Sequence, residues 1–501
     1  MAVRVSYGAL NNGMVGQLVE VQAHLSNGLP GMTIVGLPDT AISESRDRVR
    51  SAIGNSGFTW PTGRITVGLS PAFEHKRGSG LDLAIAMAVL ACANSIPPAV
   101  AEGPVYLGEL GLDGSVRSVP GAITTALSVA REQPGSIVLG CPETISQIAL
   151  VPGIEPIPVV NLSQAIQVLT GTRSADPIQI LPDRDHSSAV DLSEVVGQRP
   201  ACRSLEIAAA GGHHVLLSGP PGVGKTMLAR RLPDLLPPLS DQQALEVCAL
   251  RDSAVTTWAG IDRSPPFLAP HHSTTLVAMV GGSVGGMLRP GQISLAHHGV
   301  LFLDEGPEFS RKALEALRQP LESGTVSVAR AAFTERVPAE FQLVVAANPC
   351  PCGDAGAITC HCSPNEIRRY QQRISGPLLD RIDMHIRVGV PVGSARGDRS
   401  EDVRDRVQRA RQLSAKRLAS VEVSLNSRVS GDQLRRRFPP DAAAVKVMDD
   451  WRQRNQLGMR ALDRILRLAW TISDLAGVDQ PGEVEVAEAA ALRQDHRLDV
   501  S

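Results

Sequence analysis

The chain has 501 residues, of which 43% are hydrophobic and 20% charged, and its formal net charge is −2. This length accommodates roughly two to four domains with proper cores. The near-neutral charge excludes a protein coated in basic surface, so any contact with nucleic acid must be local, such as the lining of a groove or pore. Aromatic residues make up only 3% of the chain, which disfavours a base-stacking platform as the main binding device.

Signals for membrane insertion and export are not evident in the sequence. No apolar run approaches the roughly 18 to 20 residues that a membrane helix needs. The first residues, MAVRVSYGALNNG, lack the charged and apolar regions of a signal peptide. Cys92, Cys141, Cys202 and Cys248 are scattered in apolar settings and are interpreted as buried thiols. The cytoplasm, a reducing compartment, is therefore the expected location.

Residues 1 to about 170 combine β-rich and helical patterns. QLVEVQAHL and RITVGLS are typical of strands, and LDLAIAMAVLACA, apolar on every face, predicts a buried helix. ISQIALV and LSQAIQVLTG predict small helices, the second of which ends at Gly171. The polar, proline-containing stretch TRSADPIQILPDRDHSSAV that follows is interpreted as a linker.

A second unit is predicted to begin near Asp191, because a helix, a strand, a turn and another helix follow in the order typical of a parallel sheet. Further strands are predicted at GVLFLDE and FQLVVAAN. From about residue 396 the chain becomes helical and rich in arginine. The last strong helix, MRALDRILRLAWTISDLAG, separates an apolar face from a basic one. The apolar face comprises Leu462, Ile465, Leu466, Ala469 and Ile472, and the basic face comprises Arg460, Arg464 and Arg467.

The segment GPPGVGKT matches the phosphate-binding pattern G-x-x-x-x-G-K-[ST], with the strand HVLLS before it and the helix MLARRL after it. Glycines let backbone N–H groups turn toward phosphate oxygens, and the helix N-terminus adds partial positive charge. Lys225 is expected to reach the β- and γ-phosphates of ATP, and the Thr226 hydroxyl to ligate Mg²⁺. The residues assigned to the nucleotide are Gly219, Pro220, Pro221, Gly222, Val223, Gly224, Lys225 and Thr226.

The segment VLFLDE predicts a buried strand with two carboxylates at its end. Asp304 is suited to hold Mg²⁺ through water, and Glu305 is suited to polarise the attacking water. The alternative is a strand that ends in a solvated acidic turn. Two carboxylates beside a phosphate-binding loop indicate hydrolysis rather than binding alone.

A third strand, FQLVVAAN, can lie beside VLFLDE and place the Asn348 amide near the γ-phosphate and the water. The alternative is an asparagine in a turn before Pro349. The two segments together predict a catalytic edge to which Asn348 contributes a sensor of the γ-phosphate.

Two arginines are candidates for stabilising charge in the transition state. Arg381 follows the short helical PLLD and precedes a β-like run, a position from which an arginine of ring ATPases reaches the neighbouring subunit's γ-phosphate. A salt bridge within the subunit, to Asp380 or Asp383, is the alternative. Arg460, at the start of the last strong helix, could contact the same phosphates, and Arg464, one turn later, is its rival.

Directly after Asn348, the stretch CPCGDAGAITCHC carries the other four cysteines, Cys350, Cys352, Cys360 and Cys362. They form two C-x-C pairs separated by seven residues, and four thiolates suffice for a closed tetrahedral zinc site. His361 could replace one of these ligands. Since the usual spacing is C-x-x-C, four reduced or redox-active thiols without a metal are the alternative. In either case the stretch implies no catalytic metal.

Taken in this order, the phosphate-binding loop, the acidic strand end, Asn348, Arg381 and Arg460 resemble the AAA+ ATPases. In detail the chain resembles the magnesium-chelatase-like ComM/YifB family of bacteria over nearly its whole length. The matching phrases are GLPDTAISESRDRVRSAI, KRGSGLDLAIAMAVLA, VYLGELGLDGSVRSVPGAI, PHHSTT, RPGQISLAHHGVLFLDE, NPCPCG and ISGPLLDRID.

The resemblance implies an α/β multidomain protein. Residues 1–170 would form a Lon-protease-like α+β domain, residues 171–188 a linker, residues 189–395 the AAA+ P-loop core with a parallel sheet, and residues 396–501 a C-terminal helical lid. It also implies a homo-oligomeric ring, expected to be a hexamer.

Two inserts into the AAA+ core are expected from the resemblance. HHSTTLVAMVGGSVGGMLRPG would be one, and SGTVSVARAAFTERVPAE, which alternates in polarity, would form a hairpin before the Asn348 strand. Both would face the pore of the ring, where Arg330 and Arg336 could touch a phosphate backbone. The alternative for these arginines is a solvated hairpin.

The N-terminal part departs from an active Lon protease. The Lon-type nucleophilic serine would fall near Gly80 and its lysine near Ile123. Ser79 is adjacent to the first position, but no lysine follows Val119 in the next stretch, and a serine without its base is a poor nucleophile. The domain is therefore predicted to be non-proteolytic, with an altered dyad as the alternative.

The function favoured by these features is an ATP hydrolase that translocates on DNA as a ring. It would remodel single-stranded or branched DNA, because the resemblance implies a link to branch migration of recombination intermediates. A chelatase-type motor on a protein partner, an ATP-dependent protease and a regulatory ATPase without translocation are the alternatives. The expected cofactors are ATP and Mg²⁺, with structural Zn²⁺ as a further candidate. The expected partners are DNA and further copies of the chain, with no membrane.

Overall fold

The computed structural model describes residues 3–11, 16–37, 39–71, 76, 78–179, 190–252, 261–284, 287–329, 334–354, 359–455 and 458–493. The chain divides into two compact units. The first comprises Met1–Asp185, Ser240–Arg263 and Ser283–Pro290, and the second comprises His186–Leu239, Ser264–Gly282 and Gly291–Ser501. No described helix combines the length and the apolar composition needed to span a bilayer.

The first unit is built on a mixed sheet. Its strands are β1 (Val3–Asn11), β2 (Gly16–Ser26), β3 (Gly31–Val35), β4 (Arg64–Ser70), β5 (Val105–Leu107), β6 (Glu109–Leu110), β7 (Val116–Arg117), β8 (Ser136–Gly140) and β9 (Ile154–Pro158). Seven of them form one sheet in the order β3-β4-β2-β1-β5-β8-β9, and β6 and β7 form a separate pair. Strand β2 pairs antiparallel with β1 and β4, whereas β5, β8 and β9 continue the sheet in parallel.

The described helices of this unit that precede residue 170 are α1 (Thr40–Asn55), α2 (Asp82–Cys92), α3 (Pro98–Glu102), α4 (Ala122–Glu132), α5 (Pro142–Ile148) and α6 (Leu162–Leu169). The predicted buried helix is confirmed, because every residue of α2 from Asp82 to Ala91 is buried. Asp82 is tolerated there because Arg48 Nε donates to it at 2.7 Å and the Leu110 backbone N–H donates at 3.2 Å, and a buried charge needs such partners.

The strands after residue 190 are β10 (Val215–Ser218), β11 (Phe267–Leu268), β12 (Gly281–Val284), β13 (Met287–Pro290), β14 (Val300–Leu303), β15 (Thr325–Ala329), β16 (Thr334–Pro338), β17 (Gln342–Ala347) and β18 (Met384–Arg387). Five of them form an all-parallel sheet in the second unit, in the order β11-β14-β17-β10-β18. Strands β14 and β17 are buried along their whole length, as expected for a parallel sheet covered on both faces. The predicted parallel sheet is thus confirmed.

The described helices between residues 190 and 380 are α7 (Arg199–Gly211), α8 (Lys225–Leu235), α9 (Asp241–Asp252), α10 (Leu276–Val280), α11 (Gln292–Leu295), α12 (Arg311–Ala316), α13 (Arg318–Ser323), α14 (Pro364–Gln371) and α15 (Gly376–Leu379). Helix α9 belongs to the first unit, where it packs against α4. There the Thr124 hydroxyl donates to the Ala249 carbonyl at 3.4 Å. The range 189–395 predicted for the core therefore includes two stretches that fold with the first unit.

Two short antiparallel pairs lie apart from the main sheets. Strands β12 and β13 form one two-stranded sheet, and β15 and β16 form another in which Ser327 pairs with Arg336. The hairpin predicted before the Asn348 strand is thus confirmed. Arg336 is exposed on β16 while its neighbour Val337 is buried, which is the alternation of a strand with one face solvated. Arg330 lies outside the described residues.

The chain after residue 400 is helical, as predicted, with α16 (Ser400–Leu418), α17 (Gly431–Arg437), α18 (Ala442–Asn455), α19 (Met459–Ala476) and α20 (Glu483–Arg493). Helix α19 buries the predicted apolar face, Leu462, Ile465, Leu466, Ala469 and Ile472. Its basic face is only partly solvated, because Arg467 Nε donates to the Val429 carbonyl at 2.8 Å and Arg464 pairs with Asp383.

Buried polar contacts join α19 to the parallel sheet. Asp383, just before β18, accepts hydrogen bonds from Arg464 and from the backbone N–H of His214. His213 bridges the same carboxylate, at 3.5 Å, and the Thr471 hydroxyl, at 2.8 Å. Burial alone would raise the pKa of Asp383, but the neighbouring His213 imidazole and the charge of Arg464 hold this pKa well below its ordinary value.

Candidate nucleotide site

The phosphate-binding loop lies between β10 and α8, as the sequence predicts. Gly222 and Gly224 have φ angles of +78° and +93°, in the left-handed region that favours glycine. A Cβ placed on Gly219 would lie 2.1 Å from the Val388 carbonyl oxygen. The loop therefore needs its glycines both for its turn and for its close approach to the neighbouring backbone. Helix α8 begins at Lys225, so its N-terminal N–H groups border the loop.

Lys225 places its ammonium inside this loop. Its Nζ donates to the carbonyls of Gly219 and Pro220, at 2.7 Å each, and to Asn348 Oδ1 at 2.9 Å. Burial lowers the pKa of Lys225, against the opposing effect of the Asp304 and Glu305 charges. A phosphate oxygen bound here would give this buried ammonium an anionic partner, which the described residues do not provide.

Thr226 and Asp304 are paired as the predicted Mg²⁺ site requires. The Thr226 hydroxyl donates to Asp304 Oδ2 at 2.8 Å, and Asp304 Oδ1 accepts the Glu305 backbone N–H at 3.0 Å. Mg²⁺ prefers oxygen ligands and is usually held by one or two protein groups together with phosphates and water. The hydroxyl and carboxylate fit that donor set.

Glu305 follows β14 with a left-handed backbone, at φ +52°. Such a conformation is uncommon outside glycine and tends to mark functional sites. Its side chain is exposed, and its Oε2 lies 3.5 Å from His272 Nδ1. The sequence indicates no role for His272, which lies in the family-matching phrase PHHSTT. The pair places an imidazole beside the carboxylate predicted to polarise water.

The sheet order explains why these residues meet. Because β14, β17 and β10 are adjacent and parallel, their carboxyl ends lie at one edge of the sheet. Asp304 follows β14, Asn348 follows β17 and Gly219 follows β10. Ligands of open α/β sheets bind at this edge, where both strand-end residues lie on the β17 side of the phosphate-binding loop.

Arg381 and Arg460 lie elsewhere in the second unit. Both line a cavity of about 320 Å³ together with Glu322, Asp463 and Arg464. No residue of the phosphate-binding loop belongs to the described lining of this cavity. The structure thus brings the two predicted arginines together but does not bring them to Lys225 of the same chain.

The partner of Arg381 differs from both residues considered in the sequence. Arg381 pairs with Glu322, and its NH1 donates to the Pro377 carbonyl at 2.6 Å. Asp383 is instead occupied by Arg464, which therefore bonds inside its own chain. The Nε of Arg381 is buried and has no hydrogen-bond partner among the described residues.

A second cavity near the loop was missed by sequence reasoning. It has a volume of about 300 Å³ and is lined by Gln198, Arg199, Val388, Gly389 and Val390 among others. Gln198 Nε2 donates to the Val223 carbonyl at 2.7 Å, whereas the buried Gln198 Oε1 has no partner among the described residues. The local feature of the sequence at this cavity is the turn VVGQ before α7. It is typical of an ordinary helix start and does not indicate a cavity.

The four predicted zinc ligands converge. The sulfur atoms of Cys350, Cys352, Cys360 and Cys362, here called the four-cysteine cluster, all lie within 4.8 Å of one another. None of the four forms a disulfide. The backbone N–H of Asp354 and the neighbouring Cys350 thiol lower the pKa of Cys352 to about 6. His361 is not part of the converging set of described residues.

In the first unit, Ser79 donates a hydrogen bond to Glu109, and Ile123 is fully buried. The serine hydroxyl thus contacts a carboxylate, and the position predicted for a catalytic lysine is a core position of α4. Neither position therefore provides the lysine base of a Lon-type dyad.

Three protein-family models match the chain. Magnesium chelatase, subunit ChlI, matches residues 191–394, Subunit ChlI of Mg-chelatase matches residues 21–142, and Magnesium chelatase, subunit ChlI C-terminal, matches residues 397–493. The matches cover parts of both units, and the first of them contains the phosphate-binding loop, Asp304 and Asn348.

Several curated proteins are similar to the chain over nearly its full length. An uncharacterized protein of Mycobacterium tuberculosis is 44% identical over 501 residues, which cover 99% of each chain. The uncharacterized protein YifB of Escherichia coli is 38% identical over 491 residues, which cover 96% of this chain and 95% of that one. Competence protein ComM of Haemophilus influenzae is 38% identical over 517 residues, with 99% of each chain covered.

Proposed function

Because this chain belongs to the magnesium-chelatase-like ComM/YifB family of AAA+ ATPases, we propose that it hydrolyses ATP as a ring and translocates on DNA. Its substrates would be single-stranded or branched DNA, which it would remodel as a helicase or branch-migration motor in recombination or DNA uptake. The observation that carries the ATPase part is the pairing of Lys225 with Asn348 and of Thr226 with Asp304 at one edge of the sheet.

The proposed chemistry follows from this edge. Thr226 and Asp304 would hold Mg²⁺, which would supply charge neutralisation at the phosphates. Lys225 binds the β- and γ-phosphates, since its ammonium already lies inside the loop. Glu305 orients and polarises the attacking water, and the Asn348 amide senses the γ-phosphate and the same water. The cavity lined by Gln198 is proposed to bind the nucleotide base. Its lining is partly apolar, and the buried Gln198 Oε1 has no hydrogen-bond partner among the described residues.

The ring is supported by the position of the two arginines. Arg381 and Arg460 share a cavity whose described lining contains no residue of the phosphate-binding loop. An arginine that stabilises the transferring phosphate can be supplied by a second protein chain. We therefore propose that these arginines serve the ATP of a neighbouring copy, in a homo-oligomer expected to be a hexamer.

The DNA part is supported by two observations. One relative of similar length is a competence protein. The β15–β16 hairpin exposes Arg336, which offers a local cation of the kind that binds a phosphate backbone. With a net charge of −2, the chain would bind DNA through such local cations in a pore rather than through a broadly basic surface.

The proposal also assigns the domains, the compartment and the cofactors of the chain. Residues 1–170 are proposed as a non-proteolytic Lon-like domain, 171–188 as a linker, 189–395 as the ATPase core and 396–501 as the lid. The proposed compartment is the cytoplasm. The proposed cofactors are ATP with Mg²⁺ and, at the four-cysteine cluster, a structural Zn²⁺ ion, since four converging thiolates are the usual ligands of such a site.

A second candidate function is a chelatase-type or regulatory motor that acts on a protein partner without moving on DNA. It is favoured by the three family models, all of which bear the name of a magnesium chelatase subunit.

ATPase assays with a panel of DNA substrates separate the two candidates. The rate of the full-length chain is measured alone and with single-stranded, duplex and four-way-junction DNA, with Lys225→Ala as the inactive baseline. Stimulation by DNA that is lost in Arg336→Ala but kept in Arg436→Ala, a change of an exposed arginine on α17, supports the DNA motor. A rate that none of these DNAs changes contradicts it and favours the protein-partner candidate.

A further inference from the structure

The four-cysteine cluster is attached to the nucleotide site at two points. Cys350 follows Asn348 by two residues, and Gly353 packs against the phosphate-binding loop. Lys225 contacts residues beside both attachments, because its Nζ donates to the Gly219 carbonyl of the loop and to Asn348 Oδ1. The cluster is therefore placed to hold both the phosphate-binding loop and the segment that carries Asn348.

The sulfur separations match a metal site. The sulfur of Cys350 lies 3.2 Å from that of Cys352 and 3.9 Å from that of Cys360, and the Cys352 and Cys360 sulfurs are 3.6 Å apart. Zinc–sulfur bonds of about 2.3 Å place tetrahedral ligands about 3.8 Å apart, whereas a disulfide needs about 2.05 Å. A single ion can therefore be bound with small adjustments.

The first attachment orients Asn348. The Asn348 backbone N–H opposes the rise in the pKa of the Tyr370 hydroxyl that burial causes, and Gln371 Nε2 donates to the Pro349 carbonyl at 3.3 Å. Tyr370 and Gln371 belong to α14, which begins at Pro364 just after the last cysteine and is capped by Ser363 and Glu366. An ion in the cluster would close the loop from β17 to α14, and so hold the segment that carries the sensor amide.

The second attachment supports the phosphate-binding loop. Gly353 has a φ angle of +92°, and a Cβ placed on it would lie 2.6 Å from Pro221 Cδ. The Gly353 backbone N–H donates to the Cys350 carbonyl at 3.0 Å, so its position depends on the turn between Cys350 and Cys352. Two cysteine ligands in that turn would fix the position of Gly353, against which Pro221 of the phosphate-binding loop packs.

We infer that Zn²⁺ bound by Cys350, Cys352, Cys360 and Cys362 is a positioning element of the nucleotide site, on which ATP hydrolysis depends although zinc takes no part in the chemistry. This inference rests on the proposed function, since it concerns the rate of ATP hydrolysis. The groups that support a reactive site commonly cost about 10-fold to 100-fold in activity when removed, and a loss of that size is expected here.

Zinc content and activity are measured on the full-length chain prepared with zinc and without chelators. Elemental analysis is expected to find close to one zinc per chain. Removal of zinc with the chelator TPEN, in excess Mg²⁺, should lower kcat by about 10-fold or more, and ZnCl₂ should restore it. The double variant Cys360→Ser/Cys362→Ser should lose zinc and activity together, whereas Cys92→Ser, in the first unit, should lose neither.

The Asn348→Ala variant shows whether zinc acts through the site or only through general stability. If zinc positions Asn348, its removal should cost much less in this variant than in the unchanged chain, because coupled residues are not additive. Equal fractional losses in both proteins would contradict the positioning role. Circular dichroism before and after TPEN should be unchanged, and global unfolding would overturn the inference.

The remaining outcomes are also decisive. A zinc content near zero overturns the metal site, and full zinc content with an unchanged kcat after TPEN overturns its role in hydrolysis. If zinc-loaded protein binds a fluorescent ATP analogue but does not hydrolyse ATP, the proposed function fails. The affinity for that analogue with and without zinc then still tests whether the cluster holds the phosphate-binding loop, and an unchanged affinity contradicts it.

Discussion

Lys225 Nζ lies 2.9 Å from Asn348 Oδ1, although 123 residues separate them in the sequence. The contact joins the phosphate-binding loop after β10 to the end of the adjacent strand β17. The ammonium proposed to bind the γ-phosphate and the amide proposed to sense it are thus in direct contact. This arrangement explains why nucleotide binding and hydrolysis are expected to respond differently to changes at these two positions.

Asn348→Ala is expected to lower kcat by about 10-fold to 100-fold with a much smaller change in KM, because a preorganised donor acts mainly on charge that develops in the transition state. Steady-state ATPase kinetics measure both constants. Asn55→Ala, which removes an exposed side chain that donates to the Leu112 carbonyl, is the control and should leave both unchanged. A rise in KM alone would instead make Asn348 a binding residue.

Glu305→Gln is expected to retain ATP binding but to lower hydrolysis by about 100-fold or more, since general-base groups contribute about 10²-fold to 10⁴-fold. Single-turnover phosphate release measures the chemical step, and a fluorescent ATP analogue measures binding. The control is Glu308→Gln, whose side chain pairs with Arg373 instead. Loss of binding in Glu305→Gln would show that the carboxylate serves the metal ion.

Arg381→Ala and Lys225→Ala are each expected to be inactive alone and to regain activity when mixed. If Arg381 serves a neighbour's ATP, some interfaces of a mixed ring combine an intact Lys225 with an intact Arg381. ATPase rates at several mixing ratios measure this complementation. A mixture that is no more active than the sum of its parts would place both residues in the same site of one chain. Arg373→Ala, which has no assigned role at an interface, is the control.

The stability of the second unit is expected to fall as the pH is lowered from about 6.5 to about 4. Burial lowers the pKa of His214 to about 4, so in this window the unfolded chain takes up a proton that the folded chain does not. The stabilisation is therefore complete above the ordinary histidine pKa, and the loss is on the order of 3 kcal/mol. Urea unfolding across this range measures it.

His214→Asn is the matched variant for that pH dependence. His214 Nδ1 accepts the Leu343 backbone N–H at 3.0 Å, and an asparagine oxygen can accept the same donor but does not titrate. The variant should show a flatter dependence between about pH 6.5 and 4. An unchanged slope would assign the effect to other groups. Asp383, whose pKa lies well below its ordinary value, should contribute only at still lower pH, below the ordinary carboxyl pKa.

Much of the nucleotide site could be predicted because its signals are local. The glycines of GPPGVGKT imply a turn, the apolar run VLFL implies a buried strand, and the acidic pair follows directly in the chain. The same applies to α19, whose helical period alone identifies the face carrying Leu462 and Ile465. Such features depend on residues within one or two turns of each other, so the sequence contains all the information they need.

Other contacts could not be predicted because they join residues that are far apart in the chain. The pairing of Arg381 with Glu322 spans 59 residues, and sequence reasoning had considered only the neighbouring Asp380 and Asp383. The contact of Glu305 with His272 depends on a left-handed turn after β14. No pattern in PHHSTT indicates which carboxylate its imidazoles will meet.

The sequence by itself determined the phosphate-binding loop, the acidic strand end, the four cysteines and the helical end of the chain, because glycine freedom, apolar periodicity and ligand spacing act over short distances. Only the tertiary structure decided that Asn348 meets Lys225, that Arg381 and Arg460 share a separate cavity, and that Gly353 rests on Pro221. Strand order and close packing set these contacts, and both arise from the whole fold rather than from any one segment.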